Sequence, residues 1–131
     1  MTQKSVLFIT TQLPYPPISG GIIKTYHLLK FLSKHYGVYL VCPLKEGESS
    51  HLSMFKEKIK LKEAFFKKID KPRSLSNLLK SYIRSASLNV YRNYDKELQI
   101  KIFDYSKKVD LIVVDHYEMG AYVPKTYKNK V

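Results

Sequence analysis

Two short polar segments each follow an apolar run, and both contain residues that can bind an anion or move a proton. Ser19, Gly20 and Gly21 come after the first run and a proline-rich stretch. Paired glycines at a helix start let a phosphate approach the backbone N–H groups closely. Asp115 is the last residue of a later run, Val109–Asp115, and His116 follows it. An imidazole placed there can donate a hydrogen bond to a substrate oxygen.

The elements that must position these segments alternate between strand and helix. We predict strands over Ser5–Thr11, over Val38–Cys42 (closed by Pro43) and over Val109–Asp115. Apolar residues at helical spacing predict a helix over Gly21–Tyr36. Apolar runs without alternation are typical of strands covered on both faces of a parallel sheet. The predicted fold class is therefore α/β, a Rossmann-like open parallel sheet with flanking helices.

The middle of the chain is less regular. Leu52, Phe55 and Ile59 mark a short helix, and Ala64–Ile69 is a candidate third strand whose two lysines make a central position unfavourable. Ser74 is placed to cap a further helix with an apolar face, formed by Leu75, Leu78, Leu79, Tyr82 and Ile83.

The segment Tyr91–Tyr94 is predicted to be a polar and aromatic link before another helix. That helix is expected to begin at Asn93 or Asp95 and to continue through Ile102 and Tyr105. Most links of this kind only cap helices. The alternative is that Arg92 binds an anionic group.

Ligands of open α/β sheets bind beyond the carboxyl ends of the strands, so the two polar segments are expected to meet at one edge. Asp115 and Glu118 could tune the pKa of His116 or contact a hydroxyl group. The structural alternative is a tight turn at Gly20 and Gly21 and an ordinary histidine at position 116. With no second His or Cys at ligand spacing, no metal site is predicted.

The chain is strongly basic, with a formal net charge of +12 over 131 residues. Lysines and phenylalanines interleave over residues 54–71, which form either a solvated basic face or a surface for an anionic membrane. A nucleic-acid interface ranks last, because no recognised module is present. One cysteine, Cys42, and no apolar run near 20 residues favour a cytoplasmic protein that can touch the inner membrane face.

The segment Pro14–Lys24, followed by Leu28–Leu32, resembles the start of bacterial family 4 glycosyltransferases of the GT-B fold. In that pattern a P-x-P-x-x-G-G turn leads a helix that carries a basic residue three positions after the second glycine. Lys24 stands where arginine is common. The run Leu88–Tyr94 and the strand that ends at Asp115 and His116 also fit the family.

The resemblance implies a retaining transfer of a sugar from a nucleotide-sugar to a glycan or lipid-linked acceptor, with no further cofactor. Gly20 and Gly21 would approach the donor diphosphate, and His116 would be the catalytic residue facing the reacting sugar or acceptor. The expected acceptor or substrate contacts are Ser19, Lys24, Asp115 and Glu118.

Most donor contacts of this family belong to a C-terminal domain that the sequence does not contain. We therefore expect residues 1–131 to be the acceptor-side, N-terminal Rossmann-like domain, incomplete and inactive by itself. The alternative is a basic module that binds an anionic membrane surface without any partner domain.

Overall fold

The computed structural model describes residues 3–69, 74–84 and 88–125. In these ranges the strands are β1 (Ser5–Ile9), β2 (Gly37–Leu44), β3 (Glu63–Lys68) and β4 (Leu111–Val114). The helices are α1 (Gly20–His35), α2 (Leu52–Lys58), α3 (Leu75–Ile83), α4 (Leu88–Asn93) and α5 (Lys96–Ser106). Short 3-10 helices cover Glu48–His51 and Tyr117–Tyr122. The predicted α/β fold class is confirmed.

The four strands form one parallel sheet in the order β3-β2-β1-β4. The chain leaves β1 through α1 to reach β2 on one side, and β4 later pairs with β1 on its other side. The strand order therefore reverses between β1 and β4. Crevices at such reversals are where open α/β sheets bind ligands, beyond the carboxyl ends of the strands.

Apolar side chains cover both faces of the sheet. Phe8 packs with Leu29 of α1 and Phe55 of α2 on one face. Leu7 packs with Ile102 of α5 on the other face. This arrangement explains the unbroken apolar run of β1, all of whose residues are buried.

Pro43 was predicted to close the second strand, but β2 continues to Leu44. Pairing between β1 and β2 stops at Val41, while pairing between β2 and β3 continues to Leu44. Alternation along the strand turns the nitrogen of Pro43 toward the β1 side, beyond the last paired residue. A missing N–H group is tolerated where no neighbouring strand needs it. β1 in turn ends at Ile9, two residues before the predicted Thr11.

The predicted link Tyr91–Tyr94 was wrong in part, because residues up to Asn93 belong to α4. The following helix, α5, is capped by Asp95, whose side chain accepts from the N–H groups of Glu97 and Leu98. Ser74 caps α3 as predicted. The third strand forms as β3 at the sheet edge, in agreement with its two lysines.

The phenylalanines of residues 54–69, the described part of the lysine-rich stretch, are engaged in packing. Phe55 is fully buried, and Phe65 and Phe66 are partly buried against the two cores. The described ranges contain no helix that is long and apolar enough to cross a bilayer.

Candidate functional site

The helix that follows β1 begins at Gly20, one residue earlier than predicted. Ser19 is its N-cap in an extended conformation, and the Ser19 side chain makes no capping hydrogen bond. The carbonyl of Ser19 accepts from the N–H of Ile23 at 2.7 Å. The N–H groups of Gly20, Gly21 and Ile22 precede this bond and have no acceptor within the helix. The positive end of the helix dipole therefore lies at these N–H groups.

The fold itself does not require glycine at positions 20 and 21. A Cβ atom built on either residue would have no neighbouring atom within 4 Å, and neither has a left-handed backbone. Alanine stabilises a helix more than glycine does. Two glycines that packing and backbone conformation leave unexplained are consistent with a ligand that approaches the backbone from outside. Both residues are helical, so the tight turn of the structural alternative is wrong, while the binding of a ligand at this helix start stays a prediction.

Asp115 joins the beginning of α1 to the end of β4. Its carboxylate is almost fully buried and accepts a hydrogen bond of 2.5 Å from the hydroxyl of Thr25. The other carboxylate oxygen lies 3.1 Å from the ammonium nitrogen of Lys24. The N–H of Asp115 donates to the carbonyl of Ile9, which fixes the residue beyond β1. A buried carboxylate needs such partners to offset its lost hydration.

His116 lies beside this carboxylate. Its Nδ1 atom is 2.9 Å from Oδ2 of Asp115 but lacks the alignment of a hydrogen bond. The imidazole is 32% exposed, so it is open to a ligand in the crevice. An imidazole next to a carboxylate can donate or accept a proton at the edge of the sheet.

The structure brings together Lys24 and Thr25 of α1 with Asp115, which also lies beside His116. Gly20 and Gly21 begin the same helix, one turn before Lys24. Ser19 precedes the helix but makes no hydrogen bond or ion pair with these side chains in the described ranges. Glu118 also makes no such contact there. One oxygen of Glu118 is enclosed without a hydrogen-bond partner, as is the hydroxyl of Thr10 after β1.

Sequence reasoning missed Thr25, the buried hydroxyl that donates to Asp115. Nothing in its immediate neighbours marks it, because its partner is 90 positions away. It also missed Glu48, which accepts from the N–H groups of Leu13 at 2.6 Å and Lys45 at 3.0 Å. Burial raises the pKa of Glu48 above its ordinary value.

A groove of about 400 Å³ adjoins the beginning of α1. One wall is apolar, and the other carries the charged residues of the loop after β2. The apolar side chains are Leu13, Tyr15, Pro16, Ile18 and Ile22, and the polar wall contains Lys45, Glu46, Glu48 and His51. A groove of this composition can hold a ligand with both apolar and hydroxylated parts.

No group of three His, Cys, Asp or Glu side chains in the described ranges is placed to hold a metal ion. Comparison with protein-family models, with curated proteins and with solved structures finds no match for the chain.

Proposed function

We propose that the chain is the acceptor-side part of a retaining glycosyltransferase. In this proposal the enzyme to which the chain contributes transfers a sugar from a nucleotide-sugar to a cell-envelope glycan or lipid-linked acceptor. The observation that supports it best is the contact of buried Asp115 with α1. That contact ties the first turns of α1 to the end of β4, next to His116. Open α/β sheets bind ligands beyond the carboxyl ends of the strands, where the strand order reverses.

In the proposed mechanism the start of α1 binds the donor diphosphate. A Cβ atom on Gly20 or Gly21 would meet nothing within 4 Å, so the backbone there is open to approach. The helix dipole favours the negative charge that develops on the leaving diphosphate. Lys24 adds a positive charge one turn further along, although Asp115 neutralises part of it.

In this proposal His116 is the catalytic residue. Its exposed imidazole faces the sugar or the acceptor hydroxyl, and Asp115 is a positioning residue whose carboxylate pairs with Lys24 and lies beside the imidazole. The groove beside Tyr15 and Ile18 accommodates the acceptor, since its two walls match a sugar on an apolar carrier.

The experiment is a sugar-transfer assay on the protein as its source cells produce it, with a panel of nucleotide-sugars and lipid-linked acceptors. Gly21→Ala adds one methyl group where the fold has space, so we expect equal or slightly higher thermal stability. We expect kcat/KM to fall about tenfold, because the methyl group hinders the diphosphate. Gly120→Ala is the matched control, since its Cβ would also meet nothing within 4 Å.

His116→Ala tests the reacting group in the same assay. We expect kcat to fall about 100-fold or more, with a smaller effect on donor binding. Full activity of both site variants would contradict the site assignment. Absence of transfer by the native protein with every donor tested would contradict the function itself.

The alternative function, a membrane-binding module formed by residues 54–71, stays a prediction. The packing of Phe55, Phe65 and Phe66 leaves this stretch its lysines but few apolar side chains for insertion.

A further inference from the structure

Helix α3 has an apolar face that faces outward. Its apolar residues recur at positions i, i+3, i+4, i+7 and i+8, which places them on one stripe. Each of them is between 50% and 85% exposed: Leu75, Leu78, Leu79, Tyr82 and Ile83.

This face differs from the apolar faces of α1 and α5. Helix α1 buries Tyr26, Leu29 and Leu32 against the sheet, and α5 buries Leu98 and Ile102. Helix α3 instead packs on α4, and its one fully buried residue is Ser81. Its apolar stripe therefore adds nothing to either core.

The surroundings of this stripe in the sequence are basic. Residues 71–94 contain five lysines and arginines and no aspartate or glutamate. Lys80 lies on α3 one turn before Ile83 of the stripe, whereas the C-cap residue Arg84 lies over the ring of Tyr91 of α4. Positive charge at the border of an apolar face complements a partner that is apolar inside and negatively charged at its surface.

We propose that α3 is an interfacial anchor that docks on an anionic lipid bilayer. The apolar stripe enters the boundary between head groups and acyl chains, and Lys80, one turn from Ile83 of the stripe, contacts the lipid phosphates. A second copy of the chain fits less well, because two molecules of net charge +12 would meet through their basic regions. The proposal requires no step of sugar transfer, and it uses a different surface from residues 54–71.

The chain contains no tryptophan, which makes insertion directly measurable. Leu79→Trp introduces a single indole on the stripe, and Phe31→Trp introduces one at an exposed site on α1. Each chain is mixed with vesicles of equimolar phosphatidylcholine and phosphatidylglycerol. We expect a blue shift of fluorescence for Leu79→Trp and none for Phe31→Trp, because electrostatic adsorption alone leaves an indole in water.

Co-sedimentation with the same vesicles separates the stripe from the general positive charge. We expect Tyr82→Glu to weaken binding about tenfold or more, and Phe31→Glu, with the same change of charge, to weaken it less than about threefold. Equal losses in both variants, or equal blue shifts in both tryptophan variants, would overturn the proposal.

Light scattering of the lipid-free chain provides the remaining comparison. A wild-type dimer that Tyr82→Glu converts to monomer would assign the stripe to a second copy and also overturn the proposal. Since none of these assays measures sugar transfer, the anchor and the proposed enzymatic function can fail independently.

Discussion

Charged residues are arranged differently at the two ends of the parallel strands, here called the carboxyl edge and the amino edge of the sheet. At the carboxyl edge, Asp115, Asp95 and Glu48 each bind groups from separate elements. At the amino edge, a groove of about 610 Å³ contains five lysines and no carboxylate in its lining. These lysines are Lys30, Lys34, Lys58, Lys60 and Lys62, and within the described ranges none has an ion-pair partner.

The difference indicates which edge has an ordered site. Asp115 ties α1 to β4, and Asp95 ties α5 to Lys67 of β3. Lys34 and Lys58 instead lie in the last turns of α1 and α2, where the helix dipole favours cations. The helix ends therefore account for two of the five lysines of the groove. At the carboxyl ends of the strands, in contrast, carboxylates hold side chains in fixed mutual positions.

The largest effect on stability that would sharpen this comparison is expected from Asp115→Ala. The substitution leaves the buried hydroxyl of Thr25 without its acceptor, and we expect a loss of about 2 kcal/mol in the free energy of unfolding. Urea denaturation measures it. Asp104→Ala, at an exposed position of α5, is the control and should change stability by less than about 0.5 kcal/mol. Equal effects would show that Asp115 is no structural junction.

The charge of Asp95 is expected to make a smaller contribution to the free energy of unfolding, and this contribution depends on pH. Partial burial raises the pKa of its carboxyl, but the hydrogen bond from Lys67 and those from the N–H groups of Leu98 and Glu97 outweigh burial, so the pKa is lowered. A carboxyl whose pKa is lowered in the folded state stabilises the fold at pH values above its unfolded pKa, which is about 4. That contribution is lost as the pH falls through the folded pKa.

Asp95→Asn isolates this charge, because asparagine caps a helix nearly as well as aspartate. We expect the variant to be less stable at pH 7 by about 0.5 kcal/mol, a small value since solvent screens the pair. The difference should decrease as the pH falls below the unfolded pKa of about 4. Urea denaturation across this pH range measures it, and a difference that stays constant with pH would refute the role of the charge.

Substitution of lysines at the amino edge is expected to have the smallest effect on the free energy of unfolding. Lys60→Gln and Lys62→Gln together should change the free energy of unfolding by less than about 0.5 kcal/mol, because these exposed ammonium groups have no ion-pair partner within the described ranges. A loss as large as that of Asp115→Ala would break the comparison and reveal order in the lysine groove.

Local sequence patterns were sufficient for most of the fold. The apolar run of β1, the helical spacing of α1 and the cap at Ser74 each lie within a few neighbouring residues. Helix α4 was not predicted because six residues are too few to show helical periodicity. Pro43 misled the prediction because its tolerance depends on where the neighbouring strand ends.

The candidate site was predictable only to the extent that sheet topology determines it. Parallel strands placed the helix start at Gly20 and the pair Asp115–His116 at one edge, as expected. The hydroxyl of Thr25 and the carboxylate of Glu48 depend on contacts across 90 and 35 positions. No periodicity or local motif encodes contacts of that range.

The packing of β1 has a consequence for how the molecule opens. Leu7 and Ile9 belong to one core and Phe8 to the other, so a single strand is shared by both layers. Neither helical layer can separate from the sheet without exposing side chains of the strand that supports the opposite layer. Unfolding of the two layers is therefore expected to be coupled into one cooperative transition. The helix start at Gly20 and the imidazole of His116 would then lose their mutual geometry only when the whole sheet opens.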